Sequence, residues 1–245
     1  MIAEALILSL DRAIERRPQV SKTIAVCPLR CSVVSAVDGS LLSEAEISKV
    51  YQRKLYSPKY IAELRKGEIG CFLSHRKVWK QIAEGAADVA FVVEDDIELR
   101  QPDFNSALTF ALQHIKAGEY IKFHIADQGS VHRALETDGY HSLIQPTVVP
   151  LGTTSQLVTR DAAVRLLEST HQFDRPVDTF LQMFWLTGVP VKVVTPPCVS
   201  EISNSIGGSL ISGKKSTLTR LRRELFRPWY RLRVAALSHL HQKSS

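Results

Sequence analysis

Cysteine is scarce: four residues in 245, at Cys27, Cys31, Cys71 and Cys198. Two of them lie four apart and the other two have no close partner, so neither a disulfide framework nor a zinc knuckle is expected. They read as buried or incidental thiols. Long apolar runs are also missing. None approaches the roughly 18–20 residues that span a bilayer, so no transmembrane helix is expected. The opening Met-Ile-Ala-Glu-Ala-Leu-Ile-Leu-Ser-Leu lacks a basic leader, carries Glu4 within its apolar stretch and is followed by Asp11 rather than a small-residue cleavage site. It reads as a first strand, and the expected compartment is the cytoplasm. No internal repeat is visible.

What is present is enough apolar sequence, 44%, for one real core, with charge too mixed for a disordered chain. The net charge of +6 is unevenly placed. From Lys214 onward nine Lys or Arg stand against Glu224 alone, which leaves the first 213 residues at about −2. The basic character therefore belongs to the tail. The expected organisation is a body over 1–199, a mobile loop over 200–216 and a basic amphipathic tail over 217–245.

Residues 4–10 form a short apolar run suited to a strand buried on both faces. A helix follows over 11–17 and is expected to stop at Pro18. The spacing then predicts strands at 31–37, 89–93, 120–125, 152–158 and 191–194. It predicts helices at 43–55, 66–84, 103–115, 161–169 and 178–186. This alternation implies an α/β domain with a mostly parallel central sheet. In the tail, Leu218, Leu221, Leu225, Trp229, Leu232, Ala236 and Leu240 recur at helical spacing, with Pro228 expected to kink or divide the helix.

The run Glu94-Asp95-Asp96 at the end of the apolar strand 89–93 is the main chemical signal. Burying three carboxylates is costly unless something positive compensates, and the C-terminal ends of strands in an open α/β sheet are where ligands bind. Strand alternation puts Glu94 and Asp96 on one side and Asp95 on the other. An acid pair on one side suits a hard divalent cation, Mn²⁺ or Mg²⁺, that also holds a diphosphate. The plainer alternative is a solvated acidic turn. A metal-dependent phosphohydrolase or nucleotidyltransferase could use the same acids.

Lys66-Gly67-Glu68-Ile69-Gly70-Cys71-Phe72-Leu73-Ser74-His75, followed by Val92-Val93-Glu94-Asp95-Asp96-Ile97, closely resembles glycosyltransferase family 25. That family includes bacterial lipooligosaccharide galactosyltransferases and the collagen galactosyltransferases. Leu8-Ser9-Leu10 with Arg17, Ala36-Val37-Asp38-Gly39, Gly152-Thr153-Thr154-Ser155 and Pro176-Val177-Asp178 add to the resemblance, which covers roughly residues 4–206. It implies a GT-A-like nucleotide-sugar-binding fold and an inverting transfer of a hexose, galactose in β linkage, from a UDP-sugar to a lipid-linked oligosaccharide. It also implies that Glu94 and Asp96 hold the metal while Asp95 faces the ribose or sugar. The sequence reads Glu-Asp-Asp rather than the Asp-x-Asp of many GT-A enzymes, and no histidine lies between Pro196 and Lys214.

His75 is a candidate to touch the diphosphate or sugar; otherwise it ties its helix to the acidic loop. Glu68 reads as a helix cap, and Gly67 and Gly70 would let backbone amides approach an anion. Ser9, Arg17 and Asp38 follow the first two strands, with Arg17 suited to phosphate and Asp38 to ribose or uracil. Asp178 is the candidate base for the acceptor hydroxyl, a role compatible with capping a helix; Asp127 is held in reserve. The tail's arginines beside Leu and Trp suit an anionic membrane surface, which the resemblance implies is the inner face of the bacterial inner membrane. A basic run can also bind nucleic acid, but no recognised motif for it is present, so no nucleic acid is expected. Packing of the helix on the body is the remaining reading.

Overall fold

A computed structural model describes residues 1–123, 132–205 and 217–242. In chain order it contains β1 (Ala3–Ser9), a 3-10 turn (Ile14–Arg16), α1 (Arg17–Val26), β2 (Cys31–Ser35), a 3-10 turn (Gly39–Leu41), α2 (Glu44–Val50) and α3 (Lys66–Glu84). Then come β3 (Val89–Glu94), β4 (Ile97–Leu99), α4 (Asp103–His114), β5 (Tyr120–Phe123), β6 (His132–Thr137), β7 (Ser142–Pro146) and β8 (Ser155–Thr159). The chain continues through α5 (Arg160–Ser169), α6 (Val177–Leu181), α7 (Phe184–Thr187), β9 (Val191–Thr195), β10 (Val199–Glu201) and α8 (Thr217–Gln242).

The main sheet has the order β2-β1-β3-β8-β5-β9-β7-β6. Strands β2, β1 and β3 are parallel neighbours, and so are β5 and β9. Strand β8 runs antiparallel between β3 and β5. The α/β architecture with a mostly parallel, mixed sheet is therefore the one the alternation of elements predicted. Strands β3 and β1 read as unbroken apolar runs because helices cover both faces of the sheet. On one face Phe72 of α3 stacks on Phe173 with ring centroids 3.8 Å apart, and Trp79, Leu166 and Phe180 complete that core. On the other, Phe104 and Phe110 of α4 pack with Phe91 and Phe123.

Pro18 does not end a helix; it opens α1 at the first turn, where its missing N–H costs nothing. The helix expected over 43–55 is confined to Glu44–Val50, started by reciprocal bonds between Ser43 and Glu46. The segment expected as one helix over 178–186 is the two short helices α6 and α7. Part of the expected 200–216 loop is ordered, since Val199–Glu201 pairs with β4 and Ser203–Ser205 forms a 3-10 turn. Residues 206–216, the ends of the strand expected at 124–125, and Asp127 lie outside the described residues.

Helix α8 continues through Pro228 without dividing. Its contact with the body runs along Tyr230, Val234 and Ser238, all buried and four residues apart. Tyr230 Oη accepts from Arg175 Nη1 (2.9 Å), His241 stacks on Trp185 (5.7 Å), and Gln242 Nε2 donates to the Pro146 carbonyl (2.7 Å). The stripe that gave the helix its sequence signature faces the other way: Leu225 (69% exposed), Trp229 (63%), Leu232 and Leu240 are turned to solvent. Among the described residues no helix is long and apolar enough to cross a membrane.

Candidate functional site

The C-terminal ends of β1, β2 and β3 open into a cleft of about 440 Å³. Its floor is built by two segments remote in sequence. Gly70 of α3 lies so close to the 38–39 turn that a Cβ there would come within 2.6 Å of Gly39 N and 2.8 Å of the Val37 carbonyl oxygen. Gly39 in turn faces the Lys66 carbonyl, which a Cβ would meet at 2.0 Å. Ser74 Oγ completes the join by accepting from Val37 N–H (2.8 Å). The space at Gly70 is thus filled by protein backbone and is not available to an anion. Glu68 has the capping role, accepting from Arg65 N–H at 2.9 Å.

Glu94, Asp95 and Asp96 all line this cleft. The alternation that would have turned Asp95 away fails because β3 ends at Glu94 and the next two residues form a turn into β4. Ile202 N–H pins that turn by donating to the Asp96 carbonyl (2.9 Å). The compensating charge comes from buried Arg16, whose Nη1 lies 2.5 Å from Asp95 Oδ1 and 3.2 Å from Asp96 Oδ2. Arg17, the residue favoured from sequence, is exposed at the start of α1 and does not line the cleft. The 3-10 turn before α1 rotates the neighbouring arginine inward instead.

Glu94 Oε1 accepts from Thr153 Oγ1 (3.1 Å) and lies 3.3 Å from His75 Nε2. His75 is buried on α3, so it ties the helix to the acidic strand end while lining the cleft. Asp96 keeps an uncompensated burden: burial first, then Glu94, raise its carboxyl to about 7 against the pull of Arg16. Its Oδ1 is buried without a hydrogen-bond partner among the described residues. Ser9 and Asp38 also line the cleft. Asp38 accepts from Ser40 N–H (2.9 Å), Ser40 Oγ (2.7 Å) and Arg12 Nε (2.5 Å), and the Ser40 bonds foremost hold its carboxyl below the usual range.

Asp178 does not line this cleft. It sits beyond Glu94, in the first turn of α6, with Oδ2 accepting from Gly152 N–H (3.1 Å) and Oδ1 from Thr179 N–H (2.6 Å). Gly152 and Thr153 therefore join the two carboxylates through consecutive residues.

Two participants escaped the sequence reading. Cys71 lies one helical turn before His75, and its sulfur, a His75 ring nitrogen and a Glu94 oxygen all fall within 4.8 Å of one another. Burial, then Glu94 and Asp178, push its thiol well above the ordinary value. The other is Lys122, buried in β5 and donating to the Pro150 carbonyl. Burial lowers its ammonium to about 8 even though Asp178 and Glu94 pull the other way. A lysine in the middle of a strand carries no signal of this kind; only the fold brings it under the acids.

For a divalent cation, the carboxylates of Glu94 and Asp96 fit hard Mn²⁺ or Mg²⁺, because Asp96 Oδ1 is buried without a hydrogen-bond partner among the described residues and burial, then Glu94, raise its carboxyl in the absence of further positive charge. The Cys71–His75–Glu94 set is softer and would suit Zn²⁺ better. Exposed Arg12 and Lys66 and half-buried Arg65, each paired with an acid, line the cleft and complement an anionic ligand, while buried Arg16 is taken up by Asp95 and Asp96.

The sequence profile of glycosyltransferase family 25 (LPS biosynthesis protein) matches residues 2–181. Procollagen galactosyltransferase 1 of Danio rerio is 33% identical over 97 residues, which is 38% of this chain and 16% of that protein. Procollagen galactosyltransferase 2 of Homo sapiens has the same identity and coverage. Inactive glycosyltransferase 25 family member 3 of Homo sapiens is 33% identical over 118 residues, 46% of this chain and 20% of that protein. The chain thus spans a fifth or less of the length of these relatives. Among solved structures, the inositol-1-phosphate CTP transferase of T. maritima aligns with a TM-score of 0.42 at 14% identity, covering 91% of this chain and 96% of the other. A glycosyltransferase involved in the glycosylation of the major capsid of PBCV-1 aligns at 0.35 and 13%, covering 67% and 63%.

Proposed function

Because this chain belongs to glycosyltransferase family 25, we propose that it transfers a hexose from a UDP-sugar to the oligosaccharide of a lipooligosaccharide acceptor. The sugar is galactose, transferred with inversion to a β linkage. The observation that carries this reading is the convergence of Glu94, Asp95 and Asp96 with a cationic rim on one cleft at the ends of three parallel strands. The galactosyltransferase relatives support the choice of sugar.

Asp38, fixed by Ser40 and Arg12, takes the ribose or uracil at the mouth of β2. Arg16 keeps Asp95 and Asp96 in place, and Arg65 and Lys66 face the diphosphate from the start of α3. Glu94 and Asp96 would hold a Mn²⁺ or Mg²⁺ ion, which when bound neutralises charge on the departing UDP. His75 and Thr153 orient Glu94. Asp178 takes the proton of the acceptor hydroxyl as its oxygen bonds to the anomeric carbon and the bond from that carbon to UDP breaks. The amide bonds at Gly152 and Thr179 fix the carboxylate for that task.

The outward face of α8 supports a peripheral position on an anionic membrane, the cytoplasmic face of the bacterial inner membrane. Leu225, Trp229, Leu232 and Leu240 offer the apolar side, and exposed Arg231 and Arg233 flank them.

Incubation with a panel of UDP-sugars and Mn²⁺, with and without EDTA, tests the reading. UDP release coupled to sugar transfer, strongest with UDP-galactose and abolished by EDTA, is expected. Release of phosphate or pyrophosphate without transfer would assign the acids to a phosphohydrolase or nucleotidyltransferase instead.

A further inference from the structure

A second groove, of about 550 Å³, lies between residues 54–61 and α8, away from the acidic cleft. The charged residues lining it are Lys54, Lys59 and Arg233, all exposed and all cationic. Among the described residues none of these three has an ion-pair or hydrogen-bond partner; the nearby acid Glu63 is taken by Arg53 (3.4 Å). Positive charge without internal compensation on a concave surface attracts anions.

The groove is built on a rigid base. Arg175, fully buried, donates to the Pro58 carbonyl (3.0 Å), the Tyr56 carbonyl (3.3 Å) and Tyr230 Oη (2.9 Å), and is itself paired with buried Asp174 (2.6 Å). One guanidinium thus locks the 56–58 loop to α8. Lys54 holds a left-handed backbone, φ +58°, which residues other than glycine adopt seldom and which concentrates where a surface has a task. On the α8 side the lip is Phe226 (50% exposed) and Trp229, and it runs into the outward apolar stripe of the helix. Cations in a hollow with an aromatic lip on an extended apolar face match the layering of a bilayer, headgroup beside acyl border.

We propose that this groove seats the phosphate headgroup of an anionic bilayer phospholipid between Lys54, Lys59 and Arg233, with Phe226 and Trp229 entering the acyl border. The proposal rests on the reading of α8 as the membrane-facing helix and adds to it a defined lipid site. The same buried Arg175 that forms the groove's base is three residues along the chain from Asp178.

Vesicle co-sedimentation of the full chain, with phosphatidylcholine alone and with phosphatidylglycerol added, tests it. Three proteins are compared: wild type, Lys54→Asn/Lys59→Gln and Arg227→Gln/Arg231→Gln, with Asn chosen because it accepts the left-handed backbone. Wild type is expected to bind only the phosphatidylglycerol vesicles. The loop variant should lose about fivefold per charge, roughly 25-fold in all, with an unchanged melting temperature. If the loop variant binds like wild type while the helix variant does not, the groove is overturned and the helix reading stands. If wild type ignores anionic vesicles, both fall. Binding of soluble glycerol phosphate by a wild type that ignores phosphatidylglycerol vesicles would show a site for free phosphate and overturn the lipid assignment.

Discussion

Arg16 and Asp95 form a contact of 2.5 Å with both side chains almost wholly removed from water, and the same guanidinium nitrogen reaches Asp96 at 3.2 Å. A charge buried this way is tolerated only with its partner. Arg16→Gln should therefore cost about 3–5 kcal/mol, read as a lower midpoint in urea unfolding. Arg16→Lys should fall between, since one ammonium cannot reproduce the fork of a guanidinium. An unchanged midpoint for the glutamine variant would show that water, not Arg16, compensates the acids.

Asp96 sets a pH dependence with a definite sign. Its carboxyl stands at about 7 in the folded protein against an ordinary 3.8, so between those values the folded state keeps a proton that the unfolded chain has lost. This group's contribution to stability is best at the low end and declines as pH rises through that window. Asp96→Asn should flatten the decline, seen as a wild-type-minus-variant difference in melting temperature across about pH 4–8. Mn²⁺ should raise wild-type stability at neutral pH, by about 2.7 kcal/mol at about 100 times its dissociation constant, and leave Asp96→Asn nearly unmoved.

Lys122 works in the opposite sense. Burial lowers its ammonium from 10.5 to about 8, so below about pH 8 the protein bears the cost of a buried charge, on the order of 3 kcal/mol. That cost fades as pH climbs from about 8 toward 10.5. Lys122→Met should accordingly melt higher than wild type near pH 7, with the gap narrowing at alkaline pH. A variant that melts lower near neutrality would mean that attraction to Glu94 and Asp178 outweighs desolvation.

Gly70→Ala would drive a methyl into the backbone of Gly39 and Val37. Neither neighbour is a flexible side-chain end, so a loss of about 1–3 kcal/mol is expected. Because the 38–39 turn carries Asp38, nucleotide affinity measured by calorimetry should weaken alongside. Retained affinity in a destabilised variant would separate the packing from the binding role.

Asp178→Asn keeps the shape of the side chain and removes its basicity. Turnover should drop by about 10²–10⁴, with a smaller loss of melting temperature, because the new amide nitrogen must face one of the two N–H groups, of Gly152 or Thr179, that the carboxylate accepts. A variant with near-normal turnover would move the base elsewhere, and Asp127 would be the next residue to substitute.

Much of this was legible in the chain itself, for reasons that can be named. Strands β1 and β3 announce themselves because burial on both faces demands unbroken apolar sequence. Helix α3 shows because its apolar residues keep one face for nineteen positions. The acids of the cleft are visible because three carboxylates after such a strand need a purpose. Arg16 was missed in favour of Arg17 because facing is decided by a 3-10 turn that leaves no periodic trace. Lys122 and Cys71 acquire meaning only from neighbours 28 and 23 residues away along the chain, at Pro150 and Glu94. In α8 the strong stripe through Leu225 and Trp229 outshone the weaker Tyr230-Val234-Ser238 edge that meets the body, since hydrophobicity alone cannot say which of two faces has a protein against it. Strands β4, β6, β7 and β10 were not anticipated because short or polar pairings are specified by register with distant partners.

Gly152 and Thr153 are adjacent, and each holds a carboxylate: Asp178 accepts from the Gly152 amide and Glu94 from the Thr153 hydroxyl. A displacement of this two-residue segment that re-aims one carboxylate is felt at the other across a single residue. With the donor at Glu94 and the acceptor at Asp178, as proposed, that segment couples the two sites. Occupancy on either side should alter affinity on the other by one common factor, as reciprocity requires, so the enzyme would register a second substrate by the strength with which it grips the first.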